Sequence, residues 1–239
     1  MLSNHTKPIR LLCFPYAGGN IYAYKALEAE LPDSISMHTV ELPGRGKRFG
    51  QNLITNVDEA VEDLWSQMKP LVDSPYAIFG HSMGAVLGYL VIQKIISLKA
   101  PLPVHLFCSG RTELWKERPF TWYLLPSNEF WEKIFELGGL PQPHLLNGEM
   151  KEIFEPILRA DFQIIESVEN TGGKSVNPIH VPISVILGKE DKLLQKHAAW
   201  QKHTTGEYSV HYFSGGHFYF LENANALKEI IVSCLNYSI

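Results

Sequence analysis

Short runs of almost wholly apolar residues alternate along the chain with longer stretches whose apolar positions recur at three- and four-residue spacing. Ile9 to Phe14, Ile35 to Leu42, Tyr76 to Phe79, Val104 to Ser109, Val181 to Leu187 and Tyr208 to Phe213 read as strands, mostly bounded by Pro or Gly-containing turns. Between the first two, Ile21 to Leu31 has helical spacing. Thr55 or Asn56 can cap a helix running to about Met68, with Val57, Ala60, Val61, Leu64 and Met68 on one face and acids near its start. After Ser82 comes a helix with Val86, Leu87, Leu90, Val91, Ile95 and Ile96, and polar Gln93, Lys94 and Ser97 arrive only late. A helix that apolar belongs against a sheet. A helix around Lys196 to Lys202 and a closing one from about Glu222 to Leu235 complete the alternation. Continuously apolar strands separated by helices predict an α/β fold with a mostly parallel sheet flanked by helices.

The pattern changes between about Thr112 and Asn177. Here aromatic-rich amphipathic segments, Glu113-Leu114-Trp115, Trp122-Tyr123 and Phe130-Trp131, are broken by Pro and Gly, and no buried strand is evident. Because the strand pattern resumes at Val181, residues 1–239 read as a single domain and 112–177 as a helical insertion within it. About sixty residues make a poor core alone, which favours a lid over the active site; a packed helical subdomain with no gating role is the alternative.

A length of 239 residues, with 45% hydrophobic and 19% charged residues, suffices for one well-buried core. The net charge of −4 gives no basic field to gather nucleic acid or anionic lipid. No apolar run approaches the ~18 residues of a membrane span, and the first ten residues lack the apolar core of a signal peptide. A cytoplasmic enzyme is expected, monomeric by default. Cys13, Cys108 and Cys234 lie far apart in apolar surroundings, so buried thiols are expected rather than disulfides or a metal site. Neither a cofactor nor a metal is indicated.

The candidate chemistry centres on Gly80-His81-Ser82-Met83-Gly84 between a short apolar strand and a long apolar helix. That context is the one a nucleophile elbow requires: a serine on a sharp strand-to-helix turn, with glycines where strand and helix crowd together. A serine hydroxyl needs an imidazole base, and the base needs a carboxylate to fix its tautomer. Among ten histidines, His217 follows the strand Tyr208 to Phe213 through Ser214-Gly215-Gly216, a turn able to swing a ring over the sheet edge. His81 adjoins the serine but should point away from it, and His105 and His211 lie within strands. Asp191 follows the strand Val181 to Leu187 and is favoured as the orienting acid; its neighbour Glu190 competes. The order Ser82, Asp191, His217 is that of the α/β-hydrolases. Oxyanion donors are expected from the backbone N–H groups of Met83 and, in the turn after the first strand, Ala17. That glycine-containing turn lacks the spacing of a phosphate-binding loop.

Phe14-Pro15-Tyr16-Ala17-Gly18-Gly19, Glu41-Leu42-Pro43-Gly44-Arg45-Gly46, Gly80-His81-Ser82-Met83-Gly84, Leu137-Gly138-Gly139-Leu140-Pro141, Arg159-Ala160-Asp161-Phe162 and Gly215-Gly216-His217-Phe218 run in order along nearly the whole chain. Together they resemble the type II thioesterases of nonribosomal peptide and polyketide synthesis. The resemblance implies an α/β-hydrolase fold and a stand-alone editing hydrolase that removes acyl groups from the phosphopantetheine arm of carrier proteins. By the same analogy Ser82 attacks the thioester carbonyl, His217 moves the proton, and acyl or peptidyl carrier domains are the partners. Glu41, Arg45 and the insertion's Asp161 are expected to be architectural, with Arg45 or Arg48 as candidates to meet a carrier acid or the pantetheine phosphate. A small-ester or lipid esterase with the same triad is the competing enzyme reading. A hydrolase-like scaffold is a third, opposed by the intact Ser82, Asp191 and His217.

Overall fold

The computed structural model describes residues 8–115, 121–138, 147–170, 177–193 and 199–236. Six apolar runs form strands β1 (Ile9–Phe14), β2 (Ile35–Thr39), β3 (Tyr76–His81), β4 (His105–Ser109), β5 (Ile183–Gly188) and β6 (Tyr208–Phe213). They make one all-parallel sheet in the order β2-β1-β3-β4-β5-β6. The chain steps from β1 outward to β2 and then returns past β1 to β3. The loops after β1 and β3 therefore diverge at the carboxyl edge and leave a crevice there.

Alternation along each strand divides the core. Leu12, Phe14, Ile78, Leu106 and Val185 face one side, where α2 (Val57–Met68) and α3 (Met83–Ser97) pack. Leu11, Cys13, Ala77, Phe79, Phe107 and Ile186 face the other, covered by α1 (Lys25–Glu28) and by Leu227, Ile231 and Leu235 of a late helix, Ala224–Asn236. Both faces are dry, which is why the strands read as unbroken apolar runs rather than as alternation. Asn56 caps α2 by accepting from the N–H groups of Asp58 (2.8 Å) and Glu59 (3.2 Å), so of the two candidate caps it is the one used.

Between β4 and β5 the described residues form helices and no strand: α4 (Ser127–Leu137) and α5 (Gly148–Asn170), with a short 3-10 turn at Trp122–Leu124 before them. The closing helix Ala224–Asn236 is thus α6. Phe130, Ile134, Leu158, Phe162 and Ile165 of α4 and α5 join the core on the α3 side. The stretch Gly139-Leu140-Pro141 lies outside the described residues.

Three expected elements differ. β2 stops at Thr39 rather than Leu42: the Val40 N–H still bonds to the Cys13 carbonyl, and beyond it the Glu41 N–H, on the outer side of this edge strand, is taken by the Gln67 side chain of α2. In 21–31 only Lys25–Glu28 is α-helical; the Tyr22 N–H turns onto the Asn20 carboxamide and the Ala23 N–H onto the Asn20 carbonyl, making turns instead. The helix expected around Lys196 to Lys202 lies partly outside the described residues, and within them only a 3-10 turn, Trp200–His203, is found. Of the cysteines, Cys13 and Cys108 are buried and Cys234 is half-buried, and no disulfide joins them. No described helix is long and apolar enough to cross a membrane.

Candidate active site

Ser82 sits between β3 and α3 with φ +53° and ψ −111°, a backbone state costly for a residue with a Cβ. The turn is over-determined by its neighbours. The Ser82 N–H is tied to the Ser109 carbonyl at 2.7 Å. A Cβ on Gly80 would come within 2.1 Å of the Gly84 carbonyl oxygen, and one on Gly84 within 2.1 Å of the Phe14 carbonyl oxygen. Only glycine at both positions lets α3 start this close to the ends of β3 and β1. The α3 N-terminus, and with it the Met83 N–H, is thereby aimed at the crevice.

The other predicted site residues arrive from three more strand ends. Asp191 follows β5 and is 6% exposed; His217 follows β6 and is 5% exposed. The His217 Nδ1 and Asp191 Oδ2 lie 2.7 Å apart, and Asp191 Oδ1 accepts from the Leu193 N–H at 2.8 Å. Glu190 has a different role: its carboxylate accepts from the Gly215 N–H and its own N–H bonds to the Gly215 carbonyl, bracing the histidine loop. Ala17 lies in the turn after β1, and no acceptor among the described residues takes its N–H. Ser82, His217, Ala17 and Gly18 all line one cavity of about 130 Å³. Its remaining walls are apolar: Tyr16, Phe218, Trp131, Ile134, Leu137, Phe154, Leu158 and Phe162, all but the first two from α4 and α5. A second space of about 200 Å³ reaches His217 from the other side, between Phe135–Gly138 and the loop Glu190, Asp191, Lys192, Leu193. Charged and apolar side chains share its lining, Glu136, Glu190, Asp191 and Lys192 beside Phe135, Leu137 and Leu193.

Several participants have no clear signature in the chain. Phe154, Leu158 and Phe162 recur every four residues on α5, so one helix face builds the cavity wall; that spacing is the signal that could find them. Asp161, in the same helix, is fully buried and accepts from both Arg45 Nη atoms (Nη2 at 2.7 Å) and from the Gly18 N–H at 2.7 Å. Arg45 is thus buried away from any carrier acid, while Arg48 stays partly exposed. The first is held by Asp161, the second by Asp63 at 2.6 and 2.7 Å. The Glu41 carboxylate accepts from the N–H groups of Ile21 and Lys47, each at 2.9 Å.

His81 turns out to back the site. Its ring centroid lies 4.8 Å from that of His217, and its Nδ1 lies 2.8 Å from Ser109 Oγ, which is 2.7 Å from the Tyr219 hydroxyl. Burial, and then the facing His217, hold the His81 imidazole well below the ordinary histidine range, so it is neutral. Burial likewise pushes His105 and His203 down to about 4. In an unfolded chain all three titrate near 6.5. Between 6.5 and about 4 the unfolded state thus binds protons that the native state does not, and stability falls as pH falls. The full effect is about 1.4 kcal/mol per pH unit for each group. Calorimetry is expected to show a melting temperature nearly level from pH 7 to 8 and dropping progressively from 6.5 to 4.5. A level midpoint through that lower window would contradict the buried neutral state of these rings.

Among the described residues no group of three or more His, Cys, Asp or Glu side chains is placed to hold a metal ion. The arrangement suits acyl transfer: a strained serine at the start of α3, an imidazole with a carboxylate on its far nitrogen, and the Ala17 turn, with serine, histidine and turn all lining one apolar cavity.

Comparison with known proteins agrees with that chemistry. Residues 9–235 match the family described as "Thioesterase domain". The gramicidin S biosynthesis protein GrsT of Aneurinibacillus migulanus is 34% identical over 233 residues, covering 95% of this chain and 89% of that protein. The crystal structure of ClbQ from the colibactin NRPS/PKS pathway superposes with a TM-score of 0.89 at 28% identity, over 97% of this chain and 98% of that one. The type II thioesterase BorB from the borrelidin biosynthetic cluster gives 0.85 at 29% identity, over 97% and 94%.

Proposed function

Because the chain belongs to the thioesterase domain family, and is thus a hydrolase of thioester bonds, we propose that it is a type II thioesterase releasing acyl groups from carrier proteins. Its substrates are acyl thioesters on the phosphopantetheine arm of carrier domains in nonribosomal peptide or polyketide synthetases. The observation that carries this reading is the Asp191–His217 pair, 2.7 Å apart, with His217 and Ser82 lining one cavity roofed by α4 and α5. The resemblance to GrsT, ClbQ and BorB supports the pathway class.

In this mechanism Ser82 Oγ attacks the thioester carbonyl while His217 Nε2 accepts the hydroxyl proton. Asp191 holds the proton of the imidazole on Nδ1 and stabilises the imidazolium. The oxyanion lies between the N–H groups of Met83 and Ala17. Collapse expels the pantetheine thiolate, a good leaving group, so oxyanion stabilisation matters more than protonation of the departing sulfur. The His217 imidazolium gives its proton to the departing sulfur; the neutral ring then draws a proton from water, which attacks the acyl-serine, and returns it to Ser82 Oγ as the carboxylic acid leaves. The chemistry calls for no metal or cofactor beyond the arm on the carrier.

The apolar cavity suits the acyl group, and the mixed space beside Glu190 and Lys192, with apolar and charged side chains together, suits the amide-bearing arm. Residues 112–177 act as a lid in this reading, since Trp131, Ile134, Leu137, Phe154, Leu158 and Phe162 supply most of the acyl wall. The enzyme works as a cytoplasmic monomer.

The test is a direct comparison of substrates. Purified protein is expected to hydrolyse acetyl- or acyl-phosphopantetheinyl carrier protein at least about tenfold faster, in kcat/KM, than an oxygen ester of the same acyl group. Faster cleavage of the free ester would favour an ordinary esterase and overturn the assignment.

A further inference from the structure

Two buried carboxylates that the sequence presents as separate scaffolding meet on one loop, and a buried arginine holds one of them. The loop is residues 15–21, which carries the Ala17 N–H. At its far end the Glu41 carboxylate accepts the Ile21 N–H at 2.9 Å. At its centre the Asp161 Oδ2 accepts the Gly18 N–H at 2.7 Å, one residue from the donor assigned to the oxyanion. Arg45, 3% exposed, engages both Asp161 oxygens, and Asp161 has no exposed surface at all. Gly18 itself is in the left-handed region, φ +79°, and a Cβ there would lie 2.7 Å from Leu158 Cδ2. The turn thus abuts α5 at two points one helical turn apart, Leu158 and Asp161. Leu158 also lines the acyl cavity.

A carboxylate needed only to balance Arg45 has no reason to take a backbone N–H from the catalytic turn as well. An oxyanion donor works only if its direction is set before charge develops; the Gly19 N–H closes the turn on the Tyr16 carbonyl at 2.8 Å, and Asp161 is the side chain that holds its middle peptide. We propose that Asp161 is the positioning residue of the oxyanion hole: by holding the Gly18 N–H it aims the Ala17 N–H, while Arg45 holds its carboxylate in place. The oxyanion donor and the acyl-pocket wall are then parts of one unit, assembled when α5 is seated. This rests on the assignment of Ala17 made above.

Removing one partner would leave the other as an uncompensated buried charge, so the informative variants neutralise both. Arg45→Met/Asp161→Asn keeps an oxygen acceptor for Gly18; Arg45→Met/Asp161→Leu is close in volume and has none. Steady-state hydrolysis of an acyl-carrier thioester and inhibition by an alkylboronic acid, which forms a tetrahedral serine adduct, are measured for both and for the wild type. Wild-type turnover with boronate inhibition establishes the serine reading independently of the variants. The Leu variant is then expected to have kcat about 10- to 100-fold below the Asn variant, KM within about twofold, and boronate affinity weakened in the same proportion as kcat. Equal kcat and equal boronate affinity in the two would overturn the proposal. If the Leu variant shows no cooperative unfolding, the wild-type Gly18 amide decides: a proton protected from exchange, whose resonance moves when boronate binds, supports the proposal. A Gly18 amide that exchanges like an open turn, or does not respond to boronate, overturns it.

Discussion

Ser82→Ala is expected to lower kcat on an acylated carrier by about 10⁵- to 10⁶-fold while leaving the fold intact. The loss is large because the covalent route disappears as a whole. His217 and Asp191 are left with water alone to activate, with no covalent intermediate, and what survives is chiefly the binding of the thioester beside the Met83 and Ala17 donors. The fold survives because what holds the elbow is backbone. The Ser82 N–H bonds to the Ser109 carbonyl, and the close approaches at Gly80 and Gly84 do not involve the serine side chain. The measurement is a pair: kcat by release of acid from the carrier, and a thermal midpoint within a few degrees of wild type. Retained turnover would remove Ser82 from the mechanism.

Asp191→Asn is expected to cost about 10⁴-fold in kcat, about 5.4 kcal/mol of barrier, at nearly unchanged KM. The reason is the tautomer. Asp191 Oδ2 is an acceptor 2.7 Å from His217 Nδ1, which places the ring proton on Nδ1 and leaves Nε2 as the base. Its other oxygen accepts from the Leu193 N–H at 2.8 Å. In the asparagine variant the carbonyl oxygen keeps the Leu193 bond, so the amide NH₂ faces His217 and Nδ1 becomes the acceptor. The proton moves to Nε2, and the ring presents a donor to Ser82 where a base is needed. Steady-state kinetics with a saturating carrier substrate reads this; a loss below about tenfold would mean that another group orients the ring.

Much of this was legible in the chain. The parallel sheet follows from Ile9–Phe14, Tyr76–His81, His105–Ser109 and Ile183–Gly188, each apolar on both faces because helices cover both sides of the sheet. The elbow is local in sequence, so its glycines and its flanking elements announce it. Asp191 and His217 stand a fixed few residues past strand ends, which makes them findable by topology. The less legible part is long-range or depends on a single backbone bond. β2 falls short of Leu42, and the Glu41 N–H on the outer side of the strand is held by Gln67, 26 residues on in the chain. Asp161 meets Gly18 across 143 residues and Arg45 across 116, and no periodicity encodes such a meeting. His81 is plain in the motif, yet its partner Ser109 and its contact with the His217 ring depend on how β3 and β4 and the loop after β6 come together.

The central claim is that an acyl group passes from a carrier thiol to Ser82 before water takes it. Mixing the wild-type protein with an isotopically labelled acetyl-phosphopantetheinyl carrier, quenching in acid within the first turnover and mapping the label by peptide mass spectrometry tests it. The account predicts labelled acetyl on Ser82, chased into free acetate as the reaction proceeds. Label on any other residue, or acetate formed in the first turnover with none on Ser82, would contradict it.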